Sequence, residues 1–183
     1  MKIESTTING LLIIEPKVFG DSRGAFFESY NEKAFIEAVG EPVHFVQDNQ
    51  STSTKGVLRG LHFQNPPNAQ GKLVRVVQGS VLDVALDIRK GSSTYGHHFS
   101  IELSAENNRQ LWIPPGFAHG FSVLSEEAVF MYRCTAYYSK EDERSILFND
   151  PDLKINWKVD NPLVSAKDLQ AKRFKDIDRD FIF

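Results

Sequence analysis

Residues 81–89 alternate with a period of two: Leu82, Val84, Leu86 and Ile88 fall on one side, Asp83, Asp87 and Arg89 on the other. Successive strand side chains point to opposite faces, so this spacing predicts a β-strand; a 3.6-residue helical repeat would scatter the same apolar set. Lys72–Gln78 precedes it and turns through Gly79-Ser80, a hairpin-type connection. Further strands are predicted at 11–18, 25–29, 44–51, 99–103, 109–113, 120–124 and 128–138. Helical pattern is scarce. It is confined to 31–39, with Asn31 as N-cap and Gly40 as stop, and to a helical or irregular tail from about 165 to 178. Many short strands separated by turn residues predict an all-β antiparallel sandwich or barrel.

The chain has 183 residues, enough for one domain spanning 1–183 with a sizeable core. A net charge of -3 argues against nucleic acid or an anionic membrane surface as partner, though a local basic pocket could still hold a small anion. Cys134 is the single cysteine, so no intrachain disulfide can form. The apolar run Leu11-Leu12-Ile13-Ile14 is too short to cross a bilayer, and a cytoplasmic location is expected.

The functional signal sits in the run from Gly56 to Gln64, which sets Arg59, His62 and Gln64 among strand-forming residues, with Lys72 eight positions on. Buried polar groups are costly without partners, so several on one strand point to a ligand. His62 is the side chain type that exchanges a proton near neutral pH. Gln47-Asp48-Asn49-Gln50-Ser51 lies before this run, and Ile113-Pro114-Pro115-Gly116-Phe117-Ala118-His119-Gly120-Phe121 after it. With these three blocks the chain resembles the dTDP-4-dehydrorhamnose 3,5-epimerases from about Ile8 to Ala171. The resemblance implies a cupin-type jelly-roll barrel whose open end takes a dTDP-4-keto-6-deoxyhexose, and it implies a cofactor-independent isomerase of dTDP-L-rhamnose synthesis. A mono-epimerase or ketoisomerase of a related deoxysugar is the nearest alternative; a metal-dependent oxygenase and a non-catalytic sugar-binding cupin are more distant ones.

Metal-binding cupins place two histidines one residue apart, then a carboxylate, then a last histidine. Here Gln64 stands in the second position and Asn68 and Ala69 near the third, leaving His62 and His119, a poor donor set for zinc or iron. No metal or other cofactor is expected. Inverting a centre beside a ketone instead needs a base, an acid on the other face and a cation or donor at the enolate oxygen. His62 is the expected base. The resemblance assigns its carboxylate partner to Asp168, while Asp83 remains a second candidate. It makes Tyr132 the acid, and Lys72 is the cation that would steady the enolate and draw the phenol toward phenolate. His119 adds a donor.

Arg59 and Arg23 match the family's pyrophosphate contacts, a role suited to bidentate guanidinium. Glu28, Gln47, Asp48, Asn49, Glu143 and Lys167 are further implied ligand contacts, Tyr138 a possible wall against sugar or base, and Phe26 or Phe19 a stacking platform for thymine. The resemblance also implies a homodimer in which N-terminal strands reach the neighbouring site. His44, His97 and His98 read as structural or surface residues, and Trp112, Trp157 and Cys134 as core.

Overall fold

The computed structural model describes residues 1–178; residues 179–183 of the expected domain lie outside the described residues. The elements are β1 (Lys2–Ser5), β2 (Leu12–Glu15), β3 (Phe19–Asp21), β4 (Gly24–Phe26), α1 (Glu32–Val39), β5 (Gln47–Thr54), β6 (Val57–Gln64) and β7 (Lys72–Gln78). They continue with β8 (Ser80–Asp87), β9 (His98–Ser104), β10 (Gln110–Ile113), β11 (Phe117–Val123), β12 (Glu127–Cys134), β13 (Glu143–Ser145), β14 (Leu163–Val164) and the one-turn helix α2 (Ala166–Leu169). Two sheets face each other as a jelly-roll sandwich, ordered β1-β2-β10-β7-β12-β5 and β13-β6-β11-β8-β9. Pairing within them is antiparallel, except that β14 adds to β6 in parallel. The β3–β4 hairpin pairs with neither sheet.

Alternation decides which residues fill the space between the sheets. Val74, Val76, Leu111, Ile113, Ala128 and Phe130 come from one sheet; Val81, Ala85, Leu103, Phe117, Phe121 and Val123 come from the other. The outer face of the second sheet is covered too. Leu82, Val84, Leu86 and Ile88 pack beneath Ile146, Phe148, Leu153 and Trp157 of the C-terminal segment. On the first sheet, Ile14, Leu73 and Trp112 are covered by Phe35 of α1 and by Val43. The alternation predicted over 81–89 is therefore present, yet both of its faces are dry: Asp83 and Asp87 are fully buried.

Helix α1 forms as its ends dictate. The Asn31 side chain accepts from Ala34 N at 3.1 Å, and Gly40 closes the helix in the left-handed region at φ 84°. Such an N-cap contributes about 1 kcal/mol. The expected tail helix is mostly absent: α2 has four residues, followed by a 3-10 turn at Phe174–Asp176. Its charged sequence has no continuous apolar stripe to hold more turns against the barrel. The strand predicted over 128–138 stops at Cys134, where Thr135 turns back and its Oγ1 accepts from Gly71 N at 2.8 Å. β1, β3, β13 and β14, of two to four residues each, are too short to show alternation and lie outside the predicted strands.

Candidate active site

The site opens between the sheets at one end of the sandwich, in a cleft of about 570 Å³. Its walls include Arg59, His62 and His119 from the second sheet and Lys72, Phe130 and Tyr132 from the first. A chamber of about 140 Å³ shares His62, Lys72 and Tyr132 and is closed by Gln47, Asn49, Tyr138 and Glu143.

Arg59 and His62 share this cleft because β6 is irregular. Three residues apart, they would face opposite ways on a regular strand. The β6–β11 register runs His119↔His62 and then Phe121↔Arg59, so two positions on β11 match three on β6. A β-bulge of this kind re-aims side chains. Gly60, at φ 123°, permits it: a Cβ there would stand 2.6 Å from Gly120 Cα and 2.8 Å from the His119 carbonyl oxygen. The two histidine-bearing backbones can approach this closely only where both glycines lack side chains.

Each histidine meets a buried carboxylate. His62 Nε2 lies 2.6 Å from Asp168 Oδ1, and Asp168 is only 3% exposed. Burial would raise the Asp168 pKa, but hydrogen bonding and charge from His62, the Gly60 amide and Ser165 outweigh it and hold the group below the usual carboxylate range. An ionised carboxylate only accepts. Nε2 therefore carries the hydrogen, and Nδ1 keeps its lone pair for chemistry. Asp83, the other candidate partner, belongs to His119 instead, at 2.8 Å from its Nε2. The open alternative is thus resolved in geometry, across a separation of 106 residues for the His62 pair.

Lys72 enters from β7 with its Nζ 6.0 Å from the centroid of the Tyr132 ring. Among the described residues its ammonium has no side-chain hydrogen bond or ion pair. Burial lowers its pKa, partly offset by Cys134, Asp83 and Glu143. Tyr132 departs from expectation. Burial, with Cys134 and Glu143, raises its pKa despite the nearby charge of Arg59. The shift runs away from phenolate, so the phenol, protonated at neutral pH already at its ordinary pKa of about 10, stays a donor.

Along β5, Gln47, Asn49, Ser51 and Ser53 point inward while Asp48 and Gln50 alternate outward. Gln47 Nε2 donates to Asn49 Oδ1 at 2.9 Å, and Gln47 Oε1 accepts from Tyr138 N at 3.0 Å. Asp48 lies instead toward Arg133 at 3.4 Å, and Arg133 stacks on Tyr30. Tyr138 reaches the rim by its loop rather than by strand alternation, donating to Glu143 Oε2 at 2.9 Å; Lys167 ion-pairs with the same carboxylate. Ser53 and Phe130 were not singled out in the sequence, and Ser51 and Phe121 entered only as parts of the quoted blocks, although Ser51 and Ser53 continue the visible Gln47/Asn49 alternation.

The structure does not bring Arg23, Glu28, Phe19 or Phe26 to this chain's own cleft. Arg23 is exposed and bonded to Asp21, and Phe19 and Phe26 stand 54% and 71% exposed on the free hairpin. Gln64 is committed to backbone, donating to Asn68 O at 2.6 Å and Tyr137 O at 3.1 Å and accepting from Ser139 N at 2.8 Å. Its donor atoms are thereby used, and among the described residues no group of three or more His, Cys, Asp or Glu side chains is placed to hold a metal. Trp157 packs in the outer core and donates to Phe148 O at 2.7 Å, and Cys134 is buried. Among the described residues no helix is long and apolar enough to cross a membrane.

A model of the dTDP-4-dehydrorhamnose 3,5-epimerase family matches residues 5–176. The dTDP-4-dehydrorhamnose 3,5-epimerase of Shigella flexneri is 60% identical over 178 residues, covering 97% of this chain and 98% of its own. Among solved structures, the same enzyme from Elizabethkingia anophelis NUHP1 superposes with a TM-score of 0.93 at 53% identity, over 96% of this chain and 97% of that one. The dTDP-6-deoxy-D-glucose-3,5-epimerase of Legionella pneumophila Philadelphia 1, in complex with dTDP-4-keto-L-rhamnose, gives 0.94 at 53%, over 97% and 94%. The protein with these two His–Asp pairs in a jelly-roll cleft belongs to the dTDP-4-dehydrorhamnose 3,5-epimerase family.

Proposed function

We propose that this 3,5-epimerase performs both inversions with His62 as base and Tyr132 as acid. The substrate is dTDP-4-dehydro-6-deoxy-D-glucose and the product dTDP-4-dehydro-beta-L-rhamnose. A carbonyl at C4 acidifies the hydrogens at C3 and C5. His62 Nδ1 removes one as Asp168 holds the other ring nitrogen and stabilises the imidazolium that forms. The electron pair moves to the C4 oxygen as an enolate. Lys72, whose ammonium has no carboxylate within ion-pair reach among the described residues, is placed to neutralise it. His119, expected as a second donor, has its Nε2–H committed to Asp83 and leaves Nδ1 as an acceptor in the same cleft. Tyr132 then gives its proton to carbon from the other face. The observation that carries this reading is that base and acid stand on opposite sheets of one cleft, the first paired with a buried carboxylate and the second a phenol beside Lys72.

The diphosphate falls to Arg59, with Gln47, Asn49, Glu143 and Lys167 around the rim. A homodimer supplies the rest. The β3–β4 hairpin exposes Phe19, Phe26 and Arg23 with no sheet of its own chain to pack on, which supports their insertion into a neighbouring cleft, the aromatics against thymine and Arg23 at phosphate. A cytoplasmic location accords with nucleotide-sugar chemistry and a single buried thiol. Proton NMR of the ketosugar incubated with enzyme in deuterated water tests the reaction. Exchange at both C3 and C5 is expected; exchange at only one centre would make the protein a mono-epimerase.

A further inference from the structure

The geometry assigns to Ser53 the role of positioning residue for Arg59, holding its guanidinium in place without neutralising it. This rests on the reading of Arg59 as the diphosphate contact. Arg59 sits on β6 in one sheet and Ser53 on β5 in the other. The guanidinium spans the open edge of the sandwich, and both Nε and Nη2 donate to Ser53 Oγ at 3.1 Å. Ser53 is 5% exposed, so its hydroxyl is fixed within the fold. Among the described residues no carboxylate pairs with Arg59.

The contrast within the same protein is informative. Arg89 is gripped through Nε and Nη2 by the buried carboxylate of Asp87, which uses its charge in a structural tie. Arg59 donates from the same two nitrogens, but to one neutral oxygen, Ser53 Oγ. Its orientation is set, its net charge is intact, and both hydrogens on Nη1 remain for a ligand. A cation ordered beforehand loses less side-chain freedom when an anion binds. A carboxylate in place of the hydroxyl would also orient the guanidinium but would neutralise its charge. A hydroxyl gives orientation alone.

The test compares binding of dTDP and of thymidine to Ser53→Ala, to the shape-matched Ser53→Cys, to Ser53→Thr, and to Arg59→Gln. Ser53→Ala and Ser53→Cys are expected to weaken dTDP about 3- to 10-fold, the scale of a lost orienting contact. Thymidine affinity should be unchanged in both. KM for the nucleotide sugar should rise in parallel, with kcat within about 2-fold of wild type, since the Ser53 variants leave the charge of Arg59 in the cleft and alter only its orientation. Ser53→Thr keeps the acceptor and should restore dTDP binding. Equal weakening of dTDP and thymidine, or unchanged dTDP binding in both Ser53→Ala and Ser53→Cys, would overturn the assignment. Arg59→Gln separates the two layers. If it leaves dTDP affinity intact, the diphosphate role of Arg59 fails; if it abolishes binding while the Ser53 variants bind normally, only the positioning role fails.

Discussion

Replacing Asp168 by Asn tests whether the buried carboxylate makes His62 a base. The substitution preserves shape but removes charge, and its amide can present an N–H where Asp168 offers only acceptors. His62 Nε2 then faces a donor as readily as an acceptor, and Nδ1 no longer holds the lone pair in every molecule. A hydrogen bond to a charged group is worth about 1.5–3 kcal/mol, or about 10- to 150-fold in rate if felt fully in the transition state. Loss of the correct tautomer adds to this. In the Ser-His-Asp template the same exchange costs about 10⁴. We expect kcat to fall by about 10²–10⁴, close to the effect of His62→Asn, with KM changed much less. Stability carries a separate signature. The Asp168 pKa is depressed in the folded protein relative to 3.8. Its contribution is therefore present above that value and lost as pH falls through the lower folded pKa. The melting temperature of Asp168→Asn should lie below wild type at pH 7, and the gap should narrow in acid. Single-turnover deuterium exchange at C3 and C5 gives the chemical step; circular dichroism melts give the stability. Retention of more than about a tenth of wild-type exchange would refute the reasoning, because no tautomer-setting role leaves so much.

Tyr132→Phe should still wash solvent deuterium into the substrate through His62 returning a proton to the original face, while forming little inverted product. Near-normal inversion by Tyr132→Phe together with a severe loss in Tyr138→Phe, read by NMR, would move the acid to the rim. Gly60→Ala should destabilise the protein by about 1–3 kcal/mol, since its methyl meets backbone at 2.6 and 2.8 Å where nothing flexible can yield; a denaturant titration and kcat together should show loss of both. Turnover should survive exhaustive dialysis against a strong chelator. Loss of activity restored by a divalent metal would revive a metal-dependent chemistry that Gln64, tied to backbone, is poorly disposed to support.

The sequence by itself determined the fold class and named many of the residues that meet in the cleft. Period-two spacing is a local property, so it placed β7, β8 and the start of β12 near their observed bounds and correctly set Leu82, Val84, Leu86 and Ile88 on one face. The caps of α1 were equally local and equally legible. What tertiary structure decided were matters of pairing. Which carboxylate serves His62 depends on α2 docking beside β6, and spacing along the chain carries no information about that choice between Asp168 and Asp83. The upward direction of the Tyr132 shift follows from burial between sheets, which a Lys72-to-tyrosine argument made on sequence could not weigh. Arg59 and His62 face one cleft only because β6 meets β11 with an extra residue at Gly60, reversing the alternation that strand periodicity alone would impose. Side-chain direction is set by the backbone nearby, but partners are chosen by strands that meet only when the chain closes on itself.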